Sequence, residues 1–270
     1  MCIRDRKLSQ LENNIKNKKS FLCLGLDTDI DKIPKYLLDN SDPVFDFNKI
    51  LIDELNKKIV AVKINTAFYE SRGVSGWTSM EKTIKYLNEN YPELFTIADA
   101  KRGDIGNTSK MYAKAFFENL NFDSITLSPY MGGDSVTEFL DYEDKYPIIL
   151  ALTSNKGAHD FQLTNNLFVD VIVKSKNWKN SDKIIYVVGA TKSDFLKKIR
   201  DIIPDNFLLI PGVGAQGGDV DEVIKSCTTT ENKKILINIS RSIIYAGNNE
   251  NFFIEAVKKV DEFNSSINFK

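Results

Sequence analysis

Eight short apolar runs, each followed by a longer polar or amphipathic stretch, limit what this chain can fold into: Phe21–Leu26, Ile59–Ile64, Phe95–Ala98, Ser124–Leu127, Ile148–Leu152, Ile184–Val188, Phe207–Ile210 and Ile235–Ile239. Such runs are rich in Val, Ile, Leu and Phe, and they read as strands buried on both faces. Alternation with helical segments makes the sheet parallel and covers it with helices. Eight units in roughly 250 residues fit a (β/α)8 barrel. An open doubly wound sheet satisfies the same alternation and stands as the alternative. No Pro-, Gly- or Ser-rich linker interrupts the pattern, so residues 7–270 are expected to form a single α/β barrel domain. From Lys7 the spacing of Leu8, Leu11 and Ile15 predicts an amphipathic helix that covers one end of the core. The hexapeptide Met1-Cys2-Ile3-Arg4-Asp5-Arg6 matches the in-frame translation of a sequencing-library adapter, and residues 1–6 are read as an artefact outside the fold.

Charge and composition remove several function classes. With 36 basic and 37 acidic side chains scattered along 270 residues, the chain has no long-range field to hold a polyanion, so neither nucleic acid nor an anionic membrane is an expected partner. No apolar run approaches the about 18 residues of a membrane span, and the expected location is the cytoplasm. Three cysteines without CxxC or metal-ligand spacing suit a reducing compartment. The single histidine, His159, rules out a His-rich metal site and reads as a solvated loop residue. Acid–base chemistry therefore falls to Lys and Asp.

Those residues sit where a barrel needs them, at the C-terminal ends of strands. Asp27 follows Cys23 and Gly25 at period two and is expected to face the barrel axis. In the second run Val60, Val62 and Ile64 share the apolar face, which turns Lys63 inward, and a buried lysine demands carboxylates nearby. The third run continues as Asp99-Ala100-Lys101-Arg102-Gly103-Asp104, so Asp99 and Lys101 are expected to face the same way. Gly103 allows a turn that projects Asp104, and Asn107 is expected to cap a helix beginning near Thr108. A buried salt-bridge network that only holds the barrel closed is the competing reading. Interior charges are, however, an expensive way to stabilise a core.

The seventh run leads into Pro211-Gly212-Val213-Gly214-Ala215-Gln216-Gly217-Gly218. The glycine spacing also matches a dinucleotide fingerprint, but the next strand lacks the acid that would bind a ribose. A loop whose amides cradle one phosphate, helped by Gln216, fits better. Arg241, after the eighth run, is placed to join it as a phosphate ligand.

Taken together, Leu26-Asp27, Val62-Lys63-Ile64, Asp99 to Ile105, Pro211 to Gly218 and Ser240-Arg241-Ser242-Ile243 resemble the orotidine 5'-phosphate decarboxylase family in its longer bacterial form. The resemblance implies a homodimeric (β/α)8 barrel that converts orotidine 5'-monophosphate to UMP and CO2 with no metal or organic cofactor. It also implies residue roles. Lys101 would protonate C6, Asp99 would lie against the departing carboxylate, and Lys63 would hold the charged residues in register. Asp104 and Thr108 would reach the neighbouring subunit's site. Asp27 matches a ribose contact and Ser154 the residue that reads the pyrimidine. Pro211, Gln216, Gly217 and Arg241 match the phosphate side. Two rivals remain at this point. Sugar-phosphate decarboxylases or aldolases share D-x-K-x-x-D but need Mg2+, with a glutamate where this chain has Lys63. A non-catalytic nucleotide-binding barrel would carry a broken set of charges.

Overall fold

The computed structural model describes residues 8–213, 219–267 and 269. Its strands are β1 (Leu22–Leu26), β2 (Ala61–Asn65), β3 (Phe95–Arg102), β4 (Ser124–Leu127), β5 (Tyr146–Leu152), β6 (Ile185–Val188), β7 (Leu208–Pro211) and β8 (Ile235–Ile239). They follow in chain order, β1 to β8, as a closed barrel, and closure excludes the open doubly wound sheet. The described residues divide into two compact units, the first made of residues up to 100 and from 239 on, the second of residues between 101 and 238.

In the first unit β1, β2 and β3 pair in parallel, with Gly25 opposite Lys63 and Asn65 opposite Asp99. Every residue of β1 is buried. The expected N-terminal helix spans Leu8–Lys18 and buries Leu11 and Ile15. A second helix, Pro43–Leu55, starts where Asp42 accepts a hydrogen bond from Phe45 N and Pro43 supplies a preset φ. The Asp42 carboxylate also accepts from Ser79 Oγ at 2.7 Å and from Lys82 Nζ at 3.0 Å, which ties this helix to the helix Val74–Asn90. Phe47 stacks on Phe252 at 4.8 Å between ring centroids and anchors the C-terminal helix Phe252–Ser266. Each such fully buried side chain contributes about 1.5–3 kcal/mol through the hydrophobic effect.

In the second unit β4 to β8 pair in parallel in sequence order. Arg200, at the end of the helix Ser193–Ile202, donates to the carbonyls of Cys227, Ile203, Pro204, Asn206 and Lys234. One guanidinium therefore satisfies five main-chain acceptors in the segments that lead into β7 and β8.

Two local expectations need correction. The helix after β3 begins at Gly106, which has φ +53°, so Asn107 lies inside its first turn and caps nothing; the N-cap residue is Ile105. Lys101 has φ +47°, in the left-handed region, and this interrupts the pleat. Strand alternation therefore does not set the direction of Lys101, as the period-two argument assumed.

Candidate active site

The expected site residues that the structure describes lie in the C-terminal parts of the strands or in the segments that follow them, with Lys63 midway along β2 and Thr108 on the helix after β3. In the first unit the structure brings Asp27, Lys63 and Asp99 together. Lys63 Nζ lies 2.8 Å from Asp99 Oδ2 and 3.6 Å from Asp27 Oδ1, and the three side chains are 5%, 11% and 17% exposed respectively. Burial pulls the Lys63 ammonium toward neutrality, but Asp99 and Asp27 outweigh it, and the group is held above the ordinary lysine range. The same surroundings act on Cys23. Burial pushes its thiol up to about 12, Lys63 pulls it down, and Asp99 and Asp27 push it up, so it remains a protonated core residue.

One acceptor in this cluster is left over. Asp27 Oδ1 is buried and forms no hydrogen bond among the described residues. Folded proteins rarely leave a buried carboxylate oxygen in that state, so this atom has room to accept from an N–H or O–H group outside the chain. Ser240 Oγ, next to Arg241 at the end of β8, is unpartnered in the same sense.

The main chain that carries Asp27 is fixed by residues the sequence reading did not single out. The Tyr245 hydroxyl donates to Asp27 O at 3.0 Å and accepts from Asp29 N at 2.7 Å. Burial raises the Tyr245 phenol to about 12, which keeps it a donor. Behind Thr28 lies a fully buried polar network. Thr28 Oγ1 donates to Asn48 Oδ1 at 2.6 Å, and Asn48 Nδ2 donates to Tyr69 OH at 2.9 Å and Thr83 Oγ1 at 3.1 Å. Tyr245 stands four residues beyond Arg241, and its amide bonds to the Arg241 carbonyl at 3.2 Å. That i, i+4 spacing from Arg241 was the one available signal. Arg241 itself is exposed and opens the short helix Arg241–Ile244.

In the second unit Lys101 is exposed, and its amide donates to Thr126 Oγ1 at 2.9 Å. That bond helps hold a backbone conformation that costs a non-glycine residue about 1–2 kcal/mol. Ser128 N donates to Arg102 O at 2.7 Å, and the next residue is Gly103, where a Cβ would come within 2.8 Å of Ser128 O. Only glycine lets the chain turn there toward Asp104, whose Oδ1 accepts from Ile105 N at 2.8 Å. Thr108 is exposed on the helix Gly106–Ala113. Ser154 lies two residues past β5, in the turn Thr153-Ser154-Asn155, and Pro211 ends β7 opposite Asn238. Gln216 and Gly217 fall outside the described residues. His159 is exposed in the turn Lys156–His159, in line with its reading as a solvated residue. Among the described residues no group of three His, Cys, Asp or Glu side chains is placed to hold a metal ion, and no helix is long and apolar enough to cross a membrane.

Chemically, the first unit offers a fixed ammonium between two carboxylates, one of which keeps an oxygen that is ion-paired to Lys63 but accepts no hydrogen bond. The second offers an exposed amine on a constrained backbone and a small hydroxyl on a pinned turn. The model of the orotidine 5'-phosphate decarboxylase / HUMPS family matches residues 20–253. A curated relative from Christiangramia forsetii, named orotidine 5'-phosphate decarboxylase, is 60% identical over 247 residues, covering 90% of each chain. The solved structure of Leishmania donovani OMP decarboxylase superposes with a TM-score of 0.79 at 30% identity, covering 96% of this chain and 99% of that one. That of Leishmania donovani UMP synthase gives 0.80 at 31% identity, with 96% of this chain spanning 56% of the longer one.

Proposed function

The chain belongs to the orotidine 5'-phosphate decarboxylase family, whose members are carboxy-lyases, and on that premise we propose that it converts orotidine 5'-monophosphate to UMP and CO2 in the cytoplasm as a homodimer. The observation that carries this reading is the Lys63 ammonium buried between Asp99 and Asp27. A lysine at that point opposes a divalent cation and favours a reaction run on fixed protein charges.

In this reading the C6–carboxylate bond breaks, CO2 departs, and the electron pair stays on C6. Lys101 transfers an ammonium proton to that carbon, and the neutral amine recovers its proton from solvent. An ammonium already in place stabilises the developing carbanion without reorganisation, so no electron-sink cofactor is required. Asp99 lies against the departing carboxylate, and Lys63 fixes Asp99. Asp27 accepts from a ribose hydroxyl, which would give its Oδ1 the hydrogen bond it lacks. Ser154 reads the pyrimidine. Pro211, Gln216, Gly217 and Arg241 hold the phosphodianion, so that binding energy from this remote group is expressed in the transition state. Asp104 and Thr108 complete the neighbouring subunit's site.

Following the ultraviolet absorbance of orotidine 5'-monophosphate with purified protein in EDTA, with Lys101→Ala as control, tests the reading. Conversion to UMP by the wild type alone supports the reaction, its independence of free metal and the proton donor together. Tight UMP binding without turnover would identify a nucleotide-binding barrel instead, and loss of activity in EDTA would point to a metal-dependent relative.

A further inference from the structure

We propose that Gln162 is a positioning residue for pyrimidine recognition, its carboxamide building the turn that presents Ser154; the assignment rests on Ser154 reading the base. Gln162 Oε1 accepts from Thr153 N at 2.7 Å, and its Nε2 donates to Thr153 Oγ1 at 2.9 Å. A main-chain N–H can only donate, so the amide's orientation is fixed by its partner. The Thr153 hydroxyl in turn donates to Asn155 Oδ1 at 2.6 Å. One directed chain of hydrogen bonds thus runs from Gln162 through Thr153 to Asn155 and brackets Ser154.

The turn is held from its other side as well. Gly189, just past β6, donates its N–H to Leu152 O at 2.8 Å, and a Cβ on Gly189 would come within 2.6 Å of Ser154 N and 2.7 Å of Ser154 Cα. Thr191 Oγ1 donates to Ser154 O at 3.3 Å. With its main chain seated this closely, Ser154 has little freedom, yet its hydroxyl makes no hydrogen bond among the described residues.

The surroundings of Gln162 strengthen the assignment. The residue lines a cavity of about 730 Å³ whose other walls include Tyr130, Phe161, Phe168 and Trp178. A carboxamide against such walls is costly unless its hydrogen bonds are made. A leucine would fill the same space at no polar cost, so packing alone does not account for glutamine there. What glutamine adds is the simultaneous grip on the amide and hydroxyl of the residue preceding Ser154. Orientation to within about an ångström is what recognition and near-attack geometry require.

The test is Gln162→Leu, which keeps volume and removes both hydrogen bonds, with Ser154→Ala as reference. Affinities for UMP and for ribose 5-phosphate, which lacks the base, are measured beside kcat and KM. The expected result is a fall in UMP affinity of at least about 10-fold, with ribose 5-phosphate unchanged and KM for orotidine 5'-monophosphate raised more than kcat is lowered. Gly189→Ala, which displaces Ser154 from the opposite side, should show the same base-selective loss and serves where Gln162→Leu does not fold. Unchanged UMP affinity in the folded variant, or equal losses for both ligands, overturns the positioning role. So does a Ser154→Ala protein with normal UMP affinity. A wild-type protein that neither binds UMP nor turns over overturns the underlying functional reading instead.

Discussion

Lys63 donates a 2.8 Å hydrogen bond to Asp99 from a side chain only 5% exposed. Lys63→Met should leave the Asp99 and Asp27 carboxylates buried without their cation, at a cost of about 3–5 kcal/mol at neutral pH. The pH dependence follows from the direction of the Lys63 shift. Its pKa is raised on folding, so its contribution is complete below the unfolded value of about 10.4 and is lost as pH rises through the folded value. Urea unfolding should therefore show a wild-type advantage that is level from about pH 8 to 10 and shrinks above that. An advantage already shrinking near pH 8 would mean that Lys63 is not held this way.

Lys101→Ala should reduce turnover by roughly 10³-fold or more while UMP affinity changes little, because the proton donor acts mainly in the transition state. The left-handed φ at this position adds a stability signature. Lys101→Gly should be equally inactive yet more stable than Lys101→Ala by about 1 kcal/mol, since glycine adopts that conformation without penalty. Single-turnover absorbance and calorimetric melting read the two effects separately, and near-normal activity in either variant would end the assignment.

Removing the arginine in Arg241→Ala should lower kcat/KM for orotidine 5'-monophosphate by roughly 10²-fold, a charge-assisted contact being worth about 1.5–3 kcal/mol. Binding of uridine, which lacks the phosphate, should be unaffected. Equal losses for UMP and uridine would show that Arg241 supports the fold and not the phosphodianion.

At the opposite ends of the strands, Arg200→Met should destabilise by about 3 kcal/mol, because it strands carbonyls now satisfied by one guanidinium. At temperatures where the variant is folded, kcat should equal that of the wild type. Denaturant midpoints paired with steady-state kinetics check both halves, and a lowered kcat in the folded variant would contradict the separation of stability from chemistry.

The eight strands were legible because continuous apolar runs buried on both faces have few other uses. Strand ends were less legible. β3 runs on through Asp99, Lys101 and Arg102, which no hydrophobic criterion extends, because its last residues carry chemistry and not core. The inward turn of Lys63 was readable from the apolar face opposite it; of its two carboxylate partners, Asp99 is one expected from the third run, and Asp27 comes from the end of β1. The cap assigned to Asn107 failed because Gly106 admits a left-handed φ that starts the helix earlier. Tyr245, Gln162 and Arg200 gave little local signal. Their roles depend on carbonyls and amides brought near only by folding, 218 residues away in the case of Tyr245 and Asp27.

The Tyr245 hydroxyl bridges Asp27 O and Asp29 N while its own amide closes on Arg241. The loop after β1 and the turn after β8 are therefore fastened at one bolt. The path from Arg241 to the main chain of Asp27 runs through the amide, ring and hydroxyl of Tyr245 alone. Drift in one segment over evolutionary time is likewise constrained by the other: a shift of the β8 turn that suits a different anion would tilt the Asp27 loop with it, and the two would have to change together.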